Sequence, residues 1–132
     1  QLIHEVDKYL FSHAGVYLEW TKKYEITLEE LFDFKKFLGG RWDTLEDVSY
    51  IRGGWCKVGS CIWADIRESV ENELPVMFKK QIVGHTQMQE KPYITSKIAC
   101  LDVRQCFILD TEKDEINEVT EKAIEDTPEK IS

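Results

Sequence analysis

Apolar positions along the chain follow two rhythms. Continuous short runs occur in "KYLFSHAGV" (8–16), "KQIVGHTQ" (80–87), "KIACLDV" (97–103) and "CFILDT" (106–111), all rich in β-branched and aromatic residues. Runs of this length predict buried strands. In the first, Tyr9, Leu10 and Phe11 would pack on both faces of a sheet before a tight turn at Ala14–Gly15. Only Arg104 and Gln105 separate the last two runs, a spacing that predicts an antiparallel pair.

The second rhythm is helical. In "TLEELFDFKKFLGG" (27–40) the apolar residues fall at 28, 31, 32, 34, 37 and 38, with acidic residues in the first turn and glycines at the end. Thr27 and Glu30 have the spacing of a capping box. Residues 39–61 carry five glycines among Arg41, Trp42, Tyr50, Arg52 and Trp55, and read as a long loop. Loops of that length tend to carry function. "SCIWADIRESVENEL" (60–74) predicts a turn and a short helix. Beyond Glu112 the chain is dominated by charge, while Ile116, Val119, Ala123 and Ile124 keep helical spacing, which predicts a surface helix with a frayed end.

Composition narrows the class. At 132 residues and 42% hydrophobic content the chain can bury one sizeable core, and the alternation of strands with helices predicts an α/β fold. A net charge of −8 argues against a nucleic-acid backbone as partner, because phosphate contacts need clustered Lys and Arg. No apolar run approaches the roughly 20 residues of a membrane span, so no membrane partner is expected. The four cysteines, Cys56, Cys61, Cys100 and Cys106, lack the CxxC spacing of zinc sites. They are expected to be free thiols, with Cys100 inside an apolar run, and a reducing cytoplasm is the expected location.

Two of the three histidines, His13 and His85, each leave a strand into a turn of small or hydroxyl residues beside a glycine or alanine. One histidine at a strand end is usually a hydrogen-bonded structural residue. Two of them suggest more, since the carboxyl ends of strands in α/β proteins collect ligand-binding residues at one sheet edge. Neutral imidazoles there suit Zn, Mn or Fe. The remaining candidate ligands, Asp65, Asp102 and Asp110, have no diagnostic spacing.

"FSHAGV" (11–16), "CIWADIRE" (61–68) and "IVGHTQ" (82–87), in this order, resemble the second half of the calcineurin-like metallophosphoesterases. The branch they resemble holds the Ser/Thr protein phosphatases and the bacterial diadenosine-tetraphosphate hydrolases. "ACLD" (99–102) extends the likeness, which covers roughly residues 8–110. The resemblance implies part of a calcineurin-like αββα sandwich, with a mixed sheet and flanking helices. It implies that His13 and His85 ligate one metal of a dinuclear Mn, Fe or Zn centre, and that Asp65 lies near the substrate phosphate. In the family arginines grip the phosphate oxygens, which makes Arg52 and Arg67 the local candidates. The implied substrate is a phosphorylated protein, a nucleotide or a small phosphate ester.

The family's earlier motifs, Asp-x-His, Gly-Asp-x-x-Asp-Arg-Gly and Gly-Asn-His-Glu, do not occur in this chain. With Gln1 in place of a methionine, the expectation is a piece of a longer protein whose N-terminal half is missing. Residues 1–112 would then be the C-terminal half of the phosphoesterase domain and 113–132 an acidic helix or tail. Alone, such a piece should bind metal weakly, have little or no activity, and self-associate as a homodimer through its uncovered sheet edge. The alternative is a non-catalytic interaction or regulatory module that keeps half of the fold.

Overall fold

A computed structural model describes residues 2–70, 72, 79–88, 91–103 and 105–119. Among these, five strands form one mixed sheet and two more form a separate pair. Strand β1 (Ile3–Val6) turns back into β2 (Tyr9–Ser12) through Asp7 and Lys8, both with positive φ (48° and 66°). That is the backbone a two-residue hairpin needs, supplied here without glycine. A short helix, α1 (Leu18–Lys23), follows β2. Further along the chain come β3 (Lys80–Val83), the two-residue β4 (Tyr93–Ile94) and β5 (Ile98–Cys100). Strands β2, β3 and β5 run parallel side by side, and β4 closes the far edge antiparallel to β5, giving the order β1-β2-β3-β5-β4. The mixed α/β architecture expected from the sequence is therefore present.

Side chains alternate between two covered faces. Leu10, Val83, Ile98 and Cys100 join Val16, Tyr17, Trp20, Leu31, Phe37 and Leu45 in the larger core. Tyr9, Ile82 and Ala99 face the other way and are packed by Leu109 and Ile116. These two belong to the separate hairpin of β6 (Phe107–Asp110) and β7 (Glu115–Glu118). Tyr9 Oη donates to Asp114, which also lies 3.8 Å from Lys80 Nζ, so the hairpin is fastened to the sheet by polar as well as apolar contacts. Gln81, 1% exposed, ties β3 to the segment that follows His13. Its side chain accepts from Val16 N (2.9 Å) and donates to Val16 O (2.8 Å), satisfying both backbone groups of the segment that follows His13.

Four expectations need correction. The runs at 97–103 and 106–111 do not pair. Both edges of β5 are taken by β3 and β4, and β6 pairs instead with β7. The helix expected after Glu112 is, over Glu115–Glu118, that strand. Asp110 accepts from the amides of Glu112 and Lys113, and Asp114 adopts φ 54°, so turn chemistry overrides the helical spacing of Ile116 and Val119. Ala123 and Ile124 lie outside the described residues.

The 27–40 helix is two helices, α2 (Leu28–Phe32) and α3 (Phe34–Arg41), broken at Asp33. Aspartate competes for backbone donors, and its carboxylate accepts from Lys36 N to start the second helix. Thr27 caps the first helix by accepting from Glu30 N, as its spacing implied. Finally, 39–61 is not an open loop. Helix α3 continues through both glycines to Arg41, 3₁₀ turns occupy Trp42–Glu46 and Tyr50–Arg52, and Ser49 bridges Cys56. Asp47 gathers this region by accepting from Lys23 and Tyr24 through its side chain and from the amide of Ser60 through its carbonyl. The turn and short helix expected after Ser60 are present, the helix as a 3₁₀ segment at Ile66–Val70. All four cysteines are free, with Cys61 and Cys100 buried.

Candidate functional site

Parallel pairing of β2 with β3 brings their carboxyl ends to one edge, and a histidine follows each strand there. The amides of Gly84 and His85 both donate to His13 O (3.1 and 2.9 Å). The two imidazoles consequently lie 4.4 Å apart, centre to centre, and tilted by 52°. The chain reverses after His13 at Gly15, whose φ of +106° favours glycine. Ser12 Oγ accepts from Gly15 N, and Ala14 N donates to Cys61 O, which ties this turn to the segment that carries Trp63 and Asp65.

His85 is half-buried, and its Nε2 is buried without a hydrogen-bond partner among the described residues. Burial, then the charges of Arg52 and His13, hold its pKa below the ordinary imidazole value. The ring therefore stays neutral, in the form that ligates metals, to lower pH than a free histidine. The Trp63 ring stands perpendicular to His85 at 5.8 Å.

Beside the histidines lies a carboxylate shared by two guanidinium groups. Asp65, with a side chain 1% exposed, accepts from Arg67 Nε (2.8 Å), Arg67 Nη2 (3.1 Å) and Arg67 N (2.9 Å). Arg52 Nε sits 3.0 Å from Asp65 Oδ2, the oxygen that accepts from Arg67 Nη2, although the N–H is not aimed at it. Burial pushes the Asp65 carboxyl pKa up, but the hydrogen bonds and charge of Arg67, joined by Arg52, outweigh this and leave it below the usual value. Arg52 also donates through Nη2 to His85 O (3.2 Å) and Thr86 Oγ1 (2.8 Å). One guanidinium thus links the buried carboxylate to the backbone of a candidate ligand. Arg67 is 67% exposed and Arg52 only 24%, so of the two only Arg67 faces mainly solvent.

The sequence-predicted residues His13, His85, Asp65, Arg52 and Arg67 thus converge. Asp110 lies apart, at the end of β6, while Asp102 offers its backbone carbonyl to Met88 N nearby. Two neighbours carry no sequence signal. Buried Glu68 accepts from the amides of Gly59 and Asp65 and holds the turn before Arg67, and Thr86 Oγ1 accepts from Ile66 N as well as Arg52. An open groove of about 420 Å³ flanks His13, lined by Leu2, Phe11, Ile62 and Ile82.

The donor set fits half of a metal site. Two neighbouring imidazoles with one orphaned ring nitrogen suit a divalent ion, but no group of three or more His, Cys, Asp or Glu able to hold a metal occurs among the described residues. Nor, among them, is any helix long and apolar enough to cross a membrane. Comparisons with protein-family models, with curated proteins and with solved structures found no match.

Proposed function

We propose that the chain supplies one half of a metal-dependent phosphoesterase centre of the calcineurin-like kind. One observation carries this reading: His13 and His85 meet at the carboxyl edge of adjacent parallel strands, with Arg52 anchored to the backbone of His85. His13 and His85 would ligate a divalent Mn, Fe or Zn ion. Arg52, fixed by Asp65 and Thr86, offers its remaining N–H groups to phosphate oxygens, and Arg67 adds positive charge from the solvent side. Asp65 acts on the two arginines, because its own oxygens already accept hydrogen bonds and carry charge that would repel an anion. When bound, the metal centre supplies an activated water and stabilises charge on the phosphoryl oxygens. The substrate class is a phosphate ester, on a protein, a nucleotide or a small molecule.

The remaining ligands come from a segment that this sequence does not contain, so the isolated chain binds metal weakly and turns over slowly or not at all. Zinc titration monitored by thermal unfolding tests the metal half of the proposal. At tenfold excess over Kd the ion adds roughly 1.4 kcal/mol of stability. In His85→Leu that gain disappears, while the metal-free variant is itself more stable, because an unpaired buried nitrogen costs about 1–3 kcal/mol. An unchanged zinc effect in the variant would refute the ligand assignment. It would leave the second reading, a non-catalytic module, which the incomplete donor set favours.

A further inference from the structure

Trp63 sits on a segment whose backbone is tied at several points. Its amide donates to Ser60 O, and the nearby Cys61 O accepts from the turn after His13. Two residues later Asp65 N is bound by Glu68. Gly59 packs against this turn so closely that a Cβ there would stand 2.5 Å from Trp63 O. Yet the residue remains 42% exposed, while Trp20, the indole that serves the core, is 1% exposed and donates to Thr44 O. The indole stands edge-to-ring against His85, whose backbone Arg52 holds.

We propose that Trp63 is the specificity-determining wall of the site and stacks on a flat, aromatic leaving group of the phosphate ester. This inference rests on the phosphoesterase reading. A phosphate held between the histidine pair and Arg52 would lie beside Trp63, whose ring is 5.8 Å from His85, so a leaving group on that side would meet the indole. A ring there would cover the exposed indole, whereas an alkyl or hydroxyalkyl group offers no matching plane. Stacking of a flat ring on an aromatic side chain is favourable beyond the area it buries. The apolar groove beside His13 is the competing place for such a group, and it would give a preference independent of Trp63.

The test is a zinc-saturated NMR titration of the full chain, following the indole N–H signals, with inorganic phosphate, phenyl phosphate and glycerol 2-phosphate as probes. Phenyl phosphate should bind about tenfold more tightly than glycerol phosphate, the scale of one base-like ring on one aromatic side chain. The Trp63→Leu variant should lose that ratio, Trp63→Phe should keep most of it, and phosphate affinity should be the same in all three proteins. Phosphate binding with an unchanged ratio in Trp63→Leu overturns the Trp63 assignment alone and points to the groove. Absence of phosphate binding in the unmodified chain overturns this inference, which needs the phosphate held by His13, His85 and Arg52 of this chain, whereas the phosphoesterase reading is decided by the zinc titration of His85→Leu. Should the leucine variant fail to fold, Trp63→Phe decides: a ratio reduced to one there, in a folded protein, overturns stacking.

Discussion

At the scale of single residues, Asp65 is a buried charge that its neighbours must compensate. A carboxylate this deeply buried is tolerated because two guanidinium groups and a backbone amide neutralise and hydrogen-bond it. Asp65→Ala leaves Arg52 without its counter-charge in a largely covered position, and removing one member of such a group costs about 3–5 kcal/mol, measurable by urea denaturation. A loss below about 1 kcal/mol, the scale of an exposed ion pair, would show that the arginines find water instead. The pH dependence follows from the direction of the shift. A carboxyl whose folded pKa is depressed binds fewer protons folded than unfolded. Its stabilisation is therefore complete above the unfolded value of about 3.9 and is lost as pH falls through the lower, folded value. Acid-side stability curves, measured from about pH 5 downward, should be flatter for Asp65→Asn than for the unmodified chain.

At the scale of elements, two glycines behave oppositely. Gly39 lies inside α3, and a methyl group added at its Cα would meet nothing within 4 Å. Gly39→Ala should therefore stabilise by about 0.5–1 kcal/mol. Gly59 would drive a Cβ against the Trp63 and Ala64 backbone, so Gly59→Ala should cost about 1–3 kcal/mol. Thermal unfolding of the two variants gives shifts of opposite sign if this is right. Neither glycine reveals its surroundings in the sequence, and the same holds for several elements. The apolar runs before His13 and His85 mark strands because burial on both faces demands such runs. Strand β1 leaves little trace because its residues His4, Glu5 and Val6 are exposed, and its turn uses Asp7 and Lys8 in place of a glycine signal. Strand β7 is ambiguous because four residues fit a period of two or of 3.6 equally well, and only the turn at Asp110 decides. The histidines are legible as strand-end residues, but their 4.4 Å meeting depends on β2 pairing with β3 across a long stretch of intervening chain. Glu68 and Thr86 hold the site through backbone amides and a hydroxyl, contacts that leave no pattern in spacing.

At the scale of the whole molecule, the sheet of the described residues ends on two edge strands, β1 and the two-residue β4, and β1 is the longer. Strand β1 pairs only with β2 among the described residues, and Val6 on it is 41% exposed. Unpaired strand edges recruit other strands, so self-association through β1 is expected, visible as a concentration-dependent mass by light scattering. Val6→Lys should shift that equilibrium toward monomer, and an unaltered mass in this variant would exclude β1 as the contact. A different consequence follows from Gln81. Because its amide already occupies both backbone groups of Val16, the turn after His13 is set by the core before any ion arrives. On the proposed metal-binding reading, capture should accordingly be a single-step encounter whose rate rises linearly with ion concentration. In Gln81→Leu the same turn would have to order itself during capture, and a slow, saturable phase should appear in its place.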